Sequence, residues 1–172
     1  MPEPSAKLWL IQVDSDLLAA QRVWDPADHR TYCQTLAKFQ QAVEKSIKAV
    51  VSILKEVGVS LPPIGYQHQL SKHLEALAKL PRIHRGLQEK VDGLLTHYHR
   101  AEINAISALA PRKPDAASGE LHRLNTEYPF ETAAGIWAAP AQAGSFSESQ
   151  VARFKNLSNY LFAGAGKLVS AL

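Results

Sequence analysis

Cleaving RNA without a metal needs a base for the 2′-hydroxyl proton and a cation for the phosphate. One Arg and one His held close together supply both. Arg22 and His29 form such a pair, with six residues between them and Tyr32 just beyond. They straddle Asp25-Pro26, a helix boundary, and the flanking acids repel RNA. A surface Arg and a His in a helix's first turn account for the same letters. Arg100 and His122 are the other candidates of this kind, too far apart in sequence to meet unless the fold joins them.

Basic clusters suggest a second chemistry. Arg82-Ile83-His84-Arg85 and His97-Tyr98-His99-Arg100 fall in one helical stretch, and His122-Arg123 falls in an irregular one. Each alone reads as solvated surface. Together, Arg82, Arg85, Arg100, His122 and Arg123 could line one basic side suited to the phosphates of a nucleotide or RNA. Tyr128, before Pro129, either pins a loop to the core or adds a ring to that side.

Metal and cofactor chemistry finds little footing. Of seven His, His68 and His73 are five apart, and His97 and His99 two apart, so each pair diverges on a helix. No His-Glu-x-x-His and no phosphate-binding glycine loop occurs; Gly164-Ala165-Gly166-Lys167 lies within a predicted helix. Cys33 is the single cysteine, which rules out an intrachain disulfide and reads as an inert thiol. Neither metal nor cofactor is expected.

The 172 residues fit one domain with a sizeable core. Apolar residues at 46% and charged ones at 20% exclude global disorder. A net charge of +3 permits an anionic partner without demanding one. No run reaches the ~18 apolar residues of a membrane span. The polar N-terminus does not read as a signal peptide, so a cytoplasmic protein is expected.

These residues must be positioned by helices. Trp9, Val13, Leu17, Ala20 and Trp24 mark the first, from Lys7 to Trp24, with Leu10 and Leu18 widening its apolar face. Leu36, Phe39, Val43, Ile47, Val50, Leu54 and Val57 mark the second. With Asp25 as N-cap and Pro26 at N1, or from His29, it runs to Val57, roughly 30 residues and ~45 Å. Gly58 ends it, with Leu54 and Val59 placed to touch in a Schellman motif. Glu44, Lys45 and Lys48 read as scaffold and helix-pairing residues rather than an active site. A short helix follows from about Gln69 to Lys79. A longer one runs from about Ile83 to Ala110 along Leu87, Val91, Leu94, Tyr98, Ala101, Ala105 and Leu109. Residues 112–145 are irregular. Ser147 and Gln150 form a capping box for the last helix, with Phe146 stapled on Val151. Its stripe is Val151, Phe154, Ser158, Leu161, Ala165, Leu168 and Leu172, and Gly164 and Gly166 allow close helix approach. No strand pattern is present. The expectation is an all-α, antiparallel up-and-down bundle of four to five helices in one domain over residues 1–172.

The letters also resemble the HEPN domain family of small helical bundles. Leu8-Trp9-Leu10 through Asp16-Leu17-Leu18-Ala19-Ala20 is similar to its first helix. Gln40-Gln41-Ala42-Val43-Glu44-Lys45-Ser46-Ile47-Lys48-Ala49 is similar to its central Ala-x-Glu-Lys-x-x-Lys-Ala pattern. Gly58, the proline turn and His68-Gln69-Leu70 resemble its entry to the third helix, and Tyr128-Pro129 resembles its Arg-Tyr-Pro. The resemblance spans roughly residues 7 to 172. Many members are metal-independent RNases with Arg-x(4–6)-His late in the chain. No such pair follows residue 30, and Glu127 stands where the family has Arg. The resemblance therefore implies the non-catalytic branch: a homodimeric binding module, acting with a nucleotidyltransferase-like partner or binding nucleotide or RNA. The alternative is a toxin-like RNase of toxin–antitoxin type with an atypical Arg/His site.

Overall fold

The computed structural model describes residues 3–61, 70–80, 85–110, 124–127, 129–132 and 134–172. Helix α1 (Ala6–Val23) leads through a corner and a 3-10 turn at His29–Thr31 into α2 (Tyr32–Glu56). Then come α3 (Leu70–Ala78), α4 (Arg85–Leu94) and α5 (His97–Ser107). Strands β1 (Phe130–Glu131) and β2 (Trp137–Ala138) pair antiparallel, with Phe130 opposite Ala138, before α6 (Glu148–Ala171) closes the described chain. The fold is mostly helical and all-α in class.

Helix α2 is the axle. It packs against α1, α6, α3 and α5. Its predicted stripe is buried from Leu36 through Leu54, Ile47 completely. Small and hydroxyl residues fill its other sides. Thr35 and Ser46 donate to carbonyls one turn back at 2.9 and 2.8 Å, which satisfies them without a partner helix. Helix α1 lies antiparallel to α2. At one end the Ala6 amide donates to the Glu56 carboxylate (2.8 Å) and Ser52 donates to the Pro4 carbonyl (3.1 Å).

Local end signals come out as the residues dictate. The Val59 amide reaches the Leu54 carbonyl (2.9 Å) and the Gly58 amide reaches Lys55 (3.0 Å), the two Schellman bonds. Gly58 has φ +90, a conformation L side chains rarely adopt. The Ser147–Gln150 capping box forms with both bonds present, and Phe146 and Val151 are buried beside it.

Four expectations need correction. Helix two starts at Tyr32 and has 25 residues, because the preceding acids close turns of their own. Asp25 accepts the Ala27 amide (2.9 Å), and Asp28 accepts the Arg30 amide (3.0 Å) while pairing with its guanidinium. The 83–110 helix is two helices. Thr96 accepts the His99 amide (3.3 Å) and caps α5, so the chain turns after Leu95. The apolar stripe then changes phase: Leu95, Ile103 and Ile106 are buried, whereas Tyr98 and Ala101 are exposed. The β1–β2 pairing is a strand pair, two residues long, inside the irregular segment. Leu18, expected to widen the apolar face of α1, is 45% exposed, as it lies on the side turned from α2. Lys45 pairs helices, as its reading in the sequence has it. Its side chain is 21% exposed and pairs at 2.5 Å with Asp16 of α1, itself 5% exposed.

Candidate functional site on the α4–α5–α6 face

Helix α6 runs antiparallel to α4 and α5 and is fastened at three levels. The Arg153 guanidinium pairs with both carboxylate oxygens of Glu102 on α5. Tyr160 donates to the Gly93 carbonyl at 3.1 Å. Gly164 meets Leu94 so closely that an added Cβ would stand 2.2 Å from Leu94 Cδ1. These contacts leave two adjoining clefts with Tyr160 in the wall of both.

The first cleft, about 400 Å³, is lined by Tyr98, His99, Glu102, Arg153, Asn156, Leu157 and Tyr160. Its centre is a run of three rings. His99 stacks on Tyr160 with centroids 4.0 Å apart and planes 24° apart, and Tyr98 meets His99 edge-on at 5.5 Å. Tyr98 is 65% exposed and Tyr160 40% exposed, so the platform faces outward. Thr96 Oγ1 lies 2.9 Å from His99 Nδ1. The hydrogen bonds to Glu102 raise the Arg153 pKa above its ordinary value.

The second cleft, about 430 Å³, has an apolar floor including Leu94, Ala163, Gly164 and Leu168, with Lys90 and Lys167 among its lining. The acids near this face have cationic partners: Glu102 with Arg153, Asp92 with Arg100 (3.4 Å) and Glu89 with Arg85 (3.2 Å). Among the described residues, Lys90 and Lys167 have no ion-pair partner. The face thus offers outward rings between one matched and two unmatched cations, which suits a ligand carrying flat bases and phosphates.

The candidates from the sequence fall in several places. Arg22 and His29 are exposed at opposite ends of the α1–α2 corner, and neither side chain makes a hydrogen bond or ion pair among the described residues. That corner is a structural knot. Tyr32 donates to the Pro26 carbonyl (2.9 Å) and packs on Trp24, and Arg30 holds the Asp28 carboxyl down at about 2. Arg100 is a bracket: its guanidinium donates to the Leu95 carbonyl (2.8 Å) and the Leu74 carbonyl (3.0 Å) besides contacting Asp92. Arg85 is exposed and pairs with Glu89. Arg82, His122, Arg123 and Tyr128 lie outside the described residues, as do His68 and His84. Cys33 is buried, and burial pushes its thiol pKa up, which disfavours the reactive thiolate. Among the described residues no group of three or more His, Cys, Asp and Glu could hold a metal ion, and no helix is long and apolar enough to cross a membrane.

Arg153, Asn156 and Tyr160 were not singled out by the sequence, and Lys167 only in the Gly164–Lys167 run set aside as helical. The signal was present: with Gly164 they recur every three or four residues, one flank of a helix away from the apolar stripe. What the letters cannot show is that α4 and α5 border that flank. Compared with protein-family models, curated proteins and solved structures, the chain matches none.

Proposed function

We propose that the protein is a non-catalytic binding module of HEPN type that takes a nucleotide or RNA on the α4–α5–α6 face. The observation that carries the reading is the outward ring platform, His99 on Tyr160 beside Tyr98, set between Arg153 and the unpaired Lys90 and Lys167. Bases stack on such rings for about 1–3 kcal/mol each, and cations hold the phosphates. Within the cleft Glu102 occupies Arg153, and Thr96 engages His99 Nδ1. The dimeric part of the reading is supported by Leu8, Ile11 and Leu18, which leave apolar area uncovered on the outer side of α1. A nucleotidyltransferase-like partner follows from the resemblance of residues 40–49 to the family's central pattern.

Calorimetry with ATP and with a short single-stranded RNA, in EDTA, tests the reading. Binding should weaken about 5- to 150-fold in Tyr160→Ala and persist in Tyr160→Phe, with the RNA left intact. No binding of either ligand would end the reading.

A second reading has one observation in its favour: His99 and Arg153 share a cleft, a His and an Arg brought together from positions 54 residues apart in the chain. It makes the protein a metal-independent RNase. Cleavage in EDTA that disappears in His99→Ala would establish it in place of the first.

A further inference from the structure

We infer that the ligand of this face is a single strand of nucleic acid several nucleotides long, not a mononucleotide. The inference rests on the nucleotide-or-RNA reading and narrows it. The two clefts adjoin at Tyr160 and follow one another along α6, so a long ligand can lie across both. From Arg153 to Lys167 this path follows α6 for about 21 Å at 1.5 Å per residue. A mononucleotide occupies one station on it. About six nucleotides of a stacked strand, at ~3.4 Å each, or fewer of a splayed one, occupy its length.

The stations alternate in chemistry. Asn156 and the Glu102-bound Arg153 line one end, the ring platform stands in the middle, and Lys90 and Lys167 flank an apolar floor at the other. Phosphates and bases recur along a strand in the same alternation. The rings are exposed on the surface, where an unpaired base reaches them and a base inside a duplex does not. Charge selects the anion: Lys90 and Lys167 lack ion-pair partners among the described residues, whereas the acids nearby are matched.

The test is fluorescence anisotropy on the whole chain with labelled single strands of one to eight nucleotides, a duplex of the same sequence, and an acidic helical peptide. Affinity should rise with length and level off by about six nucleotides. The duplex should bind more weakly than the strand. Lys167→Ala and Lys90→Ala should each lower the slope of log K against log salt by roughly 0.7 for the longer strand and weaken that strand more than a mononucleotide, whereas Tyr160→Ala should weaken both. Equal affinity for one nucleotide and for six overturns the inference and leaves the nucleotide reading standing. Preference for the duplex or for the acidic peptide overturns the inference. Binding of no nucleic acid at all overturns both.

Discussion

Lys45 shows how much one residue's neighbours matter. Its place among Glu44 and Lys48 reads as helix pairing without naming the partner, which is a buried carboxylate, Asp16, 29 positions earlier. Removing one partner of a buried pair leaves an uncompensated charge and costs about 3–5 kcal/mol. Lys45→Ala should therefore cost close to that in chemical denaturation, whereas the paired change Asp16→Asn with Lys45→Met should restore much of it. A loss below 1 kcal/mol for Lys45→Ala alone would mean the pair is not buried in solution. Nearby, Lys48 pairs with Glu44 at 2.7 Å and lies 5.0 Å from the Trp9 ring centroid, so polar residues of α2 are held in place by α1 and by one another. The partners were not legible from spacing, because a charge's meaning depends on a partner supplied by another helix.

Elements were legible where their signals are local. The Schellman ending at Gly58 and the capping box at Ser147 are decided within six residues, and both formed. Periodicity found the apolar faces of α2 and α6 because each is one uninterrupted helix. It failed between 83 and 110, where Gly93 and Thr96 were weaker signals than a stripe that seemed to run on through Tyr98 and Ala101. Thr96 at the α5 N-cap rotates the next helix and turns Tyr98 outward. The ring platform thus depends on that break. Gly164 matters in the same way for α6. Its missing side chain lets Leu94 of α4 lie against α6 and floor the second cleft. Gly164→Ala should push the flexible tip of Leu94 aside, cost about 1 kcal/mol at the low end of overpacking, and weaken binding of the longer strand more than that of a mononucleotide. Thermal melts and the anisotropy series together check it. A melt and affinities like the parent's would show that the α4–α6 approach is looser than described.

At the scale of the molecule, α2 is sheathed by α1 and α6, and α3, α4 and α5 complete the side on which the clefts open. The all-α class was readable because amphipathic helices leave their period in the sequence. The site was readable only in part. Tyr98 and His99 lay in a cluster the sequence marked, while Arg153 and Tyr160 sit 54 to 62 residues further on and join them only through packing. The central claim is that nucleic acid binds on the α4–α5–α6 face. Its most direct test is a titration of isotope-labelled protein with a six-nucleotide single strand, followed by NMR residue by residue. The account predicts shifts gathered at Tyr98, His99, Arg153, Tyr160 and Lys167. Shifts gathered instead at Arg22 and His29, or along the outer side of α1, would contradict it.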